Sequence, residues 1–206
     1  MNLWPDMDLV ATLSVMAPID NLPSVFTHAD AMANGISNRL LHEMRVAGEI
    51  ERLARGIYVR PGLQADPDLV EISMRSTSAT LCLTSALAHH ELTDEIPPRI
   101  NVALPRSHRP PKTTAPVTWH RFDDGTFHVG RDQLTVLDDL TVGIYDPVRT
   151  IVDAYRLRHL YGTDQALHAL KQWLRTRGNQ PAELLAMTKH FPSTTAVIRS
   201  TLETLL

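Results

Sequence analysis

A chain of 206 residues, 43% hydrophobic and 21% charged, has the composition of a globular protein of one or two domains and excludes wholesale disorder. Its single cysteine, Cys82, excludes an intrachain disulfide and a CxxC metal clip. A net charge of −3 excludes a uniformly basic surface, yet the charges are sorted along the chain, and contact with a polyanion depends on the local patch. No apolar run approaches the ~18–20 residues that span a bilayer. The opening MNLWPDMDLV also lacks the basic n-region of a signal peptide, so a soluble cytoplasmic protein is expected.

The first stretch, 1–62, reads as three helices and a hairpin. Leu9, Val10, Leu13 and Met16 recur at helical spacing over Asp6–Met16, before Pro18 and Pro23 break the chain. Thr27 caps a helix expected over His28–Asn34, and Gly35 stands where a left-handed turn residue is needed. Ser37 caps the next helix, expected over Asn38–Ala47, whose Leu40, Leu41, Met44 and Ala47 share one face; Gly48 stops it. Residues 50–53 and 57–60 flank Ala54-Arg55-Gly56 as a strand–turn–strand pattern. A two-helix turn unit followed at once by a basic hairpin is the layout of a winged helix-turn-helix.

This stretch also carries one of the basic runs. Residues 1–35 hold Asp6, Asp8, Asp20 and Asp30 and no Lys or Arg, whereas 36–62 hold Arg39, Arg45, Arg52, Arg55 and Arg60. The candidate DNA-binding set is Ser37, Asn38, Arg39, His42 and Arg45 on the second helix of the turn unit, with Arg52, Arg55 and Arg60 on the hairpin. An ordinary solvated helix face is the plainer reading of Arg39, His42 and Arg45; the basic hairpin directly after them favours DNA.

Beyond Gly62 the pattern changes. Asp66-Pro67 opens one helix, and Leu81–Leu92 reads as a second, with Pro97-Pro98 after it. From Arg99 the period becomes two, through Ile100, Val102 and Leu104, then Val117, Trp119 and Arg121, then Phe127 and Val129. Leu134–Leu137 and Thr141–Ile144 flank Asp138-Asp139 as a hairpin. Pro105–Pro116 is a Pro-rich basic loop, expected to be mobile rather than packed. Arg99, Arg106, Arg109 and Lys112 form a second basic patch, in a stretch (96–121) that contains no acid. After Asp146-Pro147 the chain is helical to its end, with Arg149 and Asp153 spaced to pair at i, i+4. The expected fold is α+β: a winged helix-turn-helix over 1–62, then a mixed α/β domain over 63–206 ending in a helical tail.

Tests for chemistry come out negative. Ser85 and His89 share a helix face, but a nucleophilic serine needs a strained elbow and a third orienting group, and neither pattern is present. HExxH is absent, and Asp123-Asp124 and Asp138-Asp139 read as turn residues. None of Lys112, Lys171 and Lys189 has an acid two residues before it, so the acid-x-Lys of metal-dependent nucleases is missing. Neither GxxxxGK[ST] nor GxGxxG occurs. No catalytic residue, cofactor or metal site is expected.

FTHADAMANGISNRLLHEMRVAGEIERLARGIYVRPG, Phe26–Gly62, closely resembles the winged-helix module of AbiEi-type antitoxins. TSALAHHELTDEIPPRINVALPR, Thr84–Arg106, resembles that family's SALALHGL…P…VALPR pattern, except that Glu91 stands where the pattern has Gly. YDPVRTIVDAYRLR, Tyr145–Arg158, is similar to its RT-I/L-VD segment. The resemblance implies a type IV toxin–antitoxin component whose winged helix binds double-stranded operator DNA and represses its own operon. It also implies a C-terminal antitoxin domain that counteracts a nucleotidyltransferase toxin encoded alongside, without requiring a stable complex. A monomer or weak dimer is expected. The rival reading is an antitoxin acting mainly by direct contact with the toxin, with DNA binding secondary.

Overall fold

Thr27 starts the first helix with a reciprocal cap. Its hydroxyl accepts from the Asp30 N–H at 3.1 Å, and the Asp30 carboxylate accepts from the Thr27 N–H at 2.8 Å. The helix α1, His28–Ala33, is closed by a turn in which Gly35 takes φ +77°, a region open to glycine at little cost. Buried Ile36 and the Ser37 cap, whose Oγ accepts from the Leu40 N–H at 3.2 Å, then open α2, Asn38–Val46. Strands β2, Glu51–Ala54, and β3, Ile57–Val59, form a hairpin with Gly56 (φ +75°) at its tip. The computed structural model describes residues 21–62, 64–137 and 140–206, and the chain divides into two units, Met1–Leu63 and Gln64–Leu206.

Two helices across a short glycine turn, with a hairpin behind, make the N-terminal unit a winged helix-turn-helix over its described residues. A strand not anticipated from sequence, β1 (Val25–Thr27), pairs antiparallel with β3 and gives the order β1-β3-β2. Three residues between Pro23 and a helix cap are too few to display a period. The core joins Phe26, Ala31, Ile36, Leu41, Met44, Ile50 and Tyr58. The helix expected over Asp6–Met16 lies outside the described residues.

The second unit is a five-stranded mixed sheet carrying helices. Its strands are β4 (Thr80–Leu81), β5 (Ile100–Pro105), β6 (Val117–Phe122), β7 (Arg131–Leu137) and β8 (Leu140–Tyr145), in the order β6-β5-β4-β8-β7. The pairs β4·β5 and β7·β8 are antiparallel, whereas β4·β8 and β5·β6 are parallel. One apolar cluster joins Leu69 and Ile72 of α3 (Pro67–Arg75) to Leu81, Val102, Val117, Val142 and Ile144 of the sheet. Another joins α4 (Leu83–His89) and α5 (Pro147–Arg156) to the helical tail through Leu87, Ile151, Tyr155, Leu170, Trp173, Leu184, Ile198 and Leu202. That tail comprises α6 (Arg158–Tyr161), α7 (Thr163–Arg175), α8 (Pro181–Met187) and α9 (Thr195–Leu205).

Three expectations are corrected. The helix expected over Leu81–Leu92 is shorter, because Thr80-Leu81 is drawn into the middle of the sheet by β5 on one side and β8 on the other. It ends one turn early, with Glu91 at φ +57° and the Leu92 N–H donating to the Leu87 carbonyl at 2.8 Å. Phe127 and Val129 lie in turns rather than a strand. Their carbonyls are claimed by side chains, Phe127 O by the Tyr145 hydroxyl at 2.9 Å and Val129 O by Arg149 Nη1 at 2.5 Å. The Pro-rich loop is tied down at both ends rather than loose: the Arg106 N–H donates to Phe122 O at 2.7 Å, and Ala115, itself buried, donates its N–H to Glu71 at 2.9 Å.

Candidate nucleic-acid interface

The α2 helix buries Leu41 and Met44 and turns Asn38, Arg39, His42 and Arg45 to the outside. Four polar side chains thus share the face opposite a two-residue apolar anchor, the presentation a recognition helix needs in a major groove. Arg39 is 87% exposed and bridges to Glu43 one turn on at 3.2 Å, a pair that exchanges readily for a nucleic-acid contact because both ends are in water. Asn38 is held from behind: its Oδ1 lies 2.6 Å from His28 Nε2, across the Gly35 turn. Ser37 Oγ accepts from the Leu40 N–H as the helix cap, and the residue stays exposed at the start of this face. His28 and Glu43 are additions to this face: the His28–Asn38 contact spans ten residues, whereas the i, i+4 spacing of Arg39 and Glu43 is a signal that reveals their pair.

The hairpin separates its three arginines. Arg55 is exposed beside Gly56 at the tip. Arg52 is exposed on β2, with Nε donating to Ala54 O at 3.3 Å across a register shift between Arg52 and Ala54. Arg60 points back into its own unit, where Nη2 donates to Leu22 O at 3.0 Å and its N–H donates to Ser24 O at 3.0 Å. Arg60 is therefore a tie between the chain before β1 and the end of β3, whereas Arg55 stands exposed at the wing tip.

The second basic patch gathers around the edge strand β6 in the other unit. Arg99 is engaged along it, with Nη2 donating to Val117 O at 2.6 Å and Nε to Thr118 Oγ1 at 3.3 Å. Arg106 is exposed and its carbonyl accepts from Arg121 Nη2. Arg109 and Lys112 are exposed on the Pro-rich loop.

Other candidate groups are occupied by structure. Ser85 Oγ accepts from the Asn101 N–H at 2.8 Å and so completes a backbone contact of β5. His90 donates to Tyr145 O at 2.8 Å, while His89 stays exposed, its pKa lowered by partial burial and then by the His90 neighbour. Arg149 and Asp153 pair as their spacing predicts, at 2.9 Å, but both are fully buried. Arg149 also donates to Thr126 O at 2.8 Å and stacks its guanidinium 4.2 Å from the Tyr145 ring centre and 4.3 Å from that of Phe191. Arg149, the arginine of the RT-I/L-VD match, is thus an internal clamp. Among the described residues no group of three or more His, Cys, Asp or Glu stands together to hold a metal ion, and no helix is long and apolar enough to cross a membrane.

Residues 19–61 match the family model described as "Transcriptional regulator, AbiEi antitoxin", so this stretch is similar to the regulator module of that family. No curated protein matches the chain. The crystal structure of the RV2827C protein from Mycobacterium tuberculosis is similar over 88% of this chain and 76% of its own, at 18% identity and a TM-score of 0.46.

Proposed function

We propose that this protein is a type IV antitoxin that binds double-stranded DNA at its own promoter, represses its operon and counteracts a partner nucleotidyltransferase toxin. The observation that carries the DNA-binding half is the outer face of α2, where Asn38, Arg39, His42 and Arg45 stand exposed over buried Leu41 and Met44, with the Arg55 wing tip in the same unit. The match of residues 19–61 to an antitoxin regulator family supports the same reading. Asn pairs bidentately with adenine and Arg with guanine, so Asn38 and Arg39 are assigned to bases. Arg45, Arg52 and Arg55 are assigned to phosphates, which position the module without reading sequence.

On this proposal residues 1–62 carry operator binding, residues 63–206 carry antitoxicity, and neither part catalyses a reaction. The place of action is the cytoplasm, where the operon lies. The test is to express residues 63–206 alone, establish a cooperative melt, and assay rescue of cells from the co-encoded toxin alongside promoter binding. Rescue without DNA binding is expected. A folded fragment that fails to rescue overturns the division of roles. Stable co-purification of the full chain with the toxin favours instead an antitoxin that acts by direct contact.

A further inference from the structure

The loop from Arg106 to Pro116 combines two features that flexible surface loops lack together. It carries Arg106, His108, Arg109 and Lys112 outward, all exposed, and it is pinned by a carboxylate at each end. At the start, Asp124 Oδ1 accepts from Ser107 Oγ at 2.8 Å and from the Ser107 N–H at 3.3 Å. These hydrogen bonds hold its carboxyl below the usual range. At the far end, Glu71 of α3 is 3% exposed, and its Oε2 accepts from both the Thr114 and Ala115 N–H groups at 2.9 Å. Its other oxygen, Oε1, pairs with Arg75 at 3.2 Å. Pro110, Pro111 and Pro116 restrict the backbone between these anchors further.

A buried carboxylate whose two oxygens are spent on a loop backbone and an arginine is a costly device for closing a turn. It makes sense where the loop must keep one shape. We propose that the loop is a rigid cationic prong that contacts DNA phosphates, and that Glu71 and Asp124 are positioning residues for that contact. The occupant is argued from charge and side-chain type: cations and prolines present a surface to a polyanion, and the loop offers no aromatic or large aliphatic side chain to anchor a protein interface. Ordering the loop in advance removes an entropic cost that binding otherwise bears. This inference rests on the proposed reading of the protein as a DNA binder, and it adds a second contact surface and the residues that shape it.

The test is a double-mutant cycle on the full chain, with a labelled duplex of its own promoter titrated at several salt concentrations. Arg109→Ala with Lys112→Ala is expected to weaken binding and flatten the slope of log K against log salt by up to about two units, since each phosphate contact contributes about −0.9. Glu71→Gln cannot satisfy both the loop N–H groups and Arg75, and is expected to weaken binding about three- to tenfold at an unchanged slope. Asp124→Ala, exposed and harmless to the core, is expected to act in the same direction. Both changes remove a negative charge, so weaker binding runs opposite to simple electrostatics. Once Arg109 and Lys112 are gone, neither change is expected to cost anything further.

Equal losses with and without the two cations, or no loss from either anchor variant, overturn the positioning role while leaving the DNA reading intact. An unchanged affinity and slope for the Arg109, Lys112 variant overturns the prong itself, and loss of toxin rescue in that variant assigns the loop to a protein partner. A loss of promoter affinity in Arg39→Ala that an unrelated duplex does not show, measured alongside, confirms that the probe is the right DNA. A probe that the wild-type chain does not bind sinks the DNA reading on which the prong rests.

Discussion

The two units use charge in opposite ways. In the N-terminal unit the core cluster is apolar throughout, and the charged side chains of α2 and the wing tip face water. In the second unit, Glu71, Arg149 and Asp153 are buried outright, as are Ser73, Thr80, Thr84, Asn101 and Thr150. All the polar residues buried among the described ones fall there. The difference teaches that an arginine counted from sequence has no fixed meaning. Arg39 is a solvated group free to exchange Glu43 for another partner, whereas Arg149 is the keystone of a buried turn and has no surface to offer.

The largest expected effect breaks that contrast from the buried side. Arg149→Met keeps most of the volume but leaves Asp153 buried with one partner fewer, the Val129 carbonyl without its donor and the Thr126 carbonyl with only the Val129 N–H. Urea unfolding should show a loss of about 3–5 kcal/mol in the second unit. Arg39→Ala, by comparison, should change stability by less than about 0.5 kcal/mol. Equal effects would mean that Arg149 is not the clamp its contacts describe.

On the exposed side, Arg55→Ala should flatten the salt dependence of promoter binding by about one unit and weaken all sequences similarly. An unchanged slope removes the wing tip from the interface. A smaller effect concerns backbone strain: Glu91, exposed at φ +57°, sits where glycine is favoured. Glu91→Gly should raise the stability of the second unit by about 0.5–1 kcal/mol, the relief of the left-handed penalty less the extra freedom of the unfolded chain. Thermal melts of this variant and the wild-type chain read this directly.

The smallest effect is a pH dependence confined to the second unit. Burial lowers the pKa of His120, which lies 2.9 Å from Asn101 Oδ1 and 3.2 Å from the Tyr161 hydroxyl through Nε2. The pKa of His89 is lowered in the same direction. With folded values below the ordinary 6.5, the unfolded chain takes up protons first, so stability should fall as pH drops through 6.5 and level off below the folded pKa values. His120→Gln should reduce that fall without abolishing it, as followed by melting temperature between neutral and mildly acidic pH.

Local chemistry was legible in the sequence. Thr27, Ser37, Gly35 and Gly56 each act within four residues of themselves, and the apolar spacing of Leu41 and Met44 needs nothing outside α2. The same holds for Asp66, Asp146 and the prolines that open α3, α5 and α8. What escaped depends on partners far along the chain. Thr80-Leu81 is a strand only because residues 102–103 and 143–144 lie beside it. Glu71 finds its loop 43 and 44 residues away, and nothing in its own helix distinguishes it from a surface acid. Within the interface, the exposed face of α2 follows from periodicity, whereas the inward turn of Arg60 toward Leu22 is set by a contact 38 residues apart.

The proposed function turns on whether the outer face of α2 reads DNA. The most direct measurement compares Arg39→Ala with the wild-type chain on a promoter duplex and on an unrelated duplex at the same salt concentration. A loss of about 1–3 kcal/mol is expected on the promoter and little on the unrelated DNA, because a bidentate contact to a base is what disappears. An equal loss on both duplexes, or none on either, would contradict it.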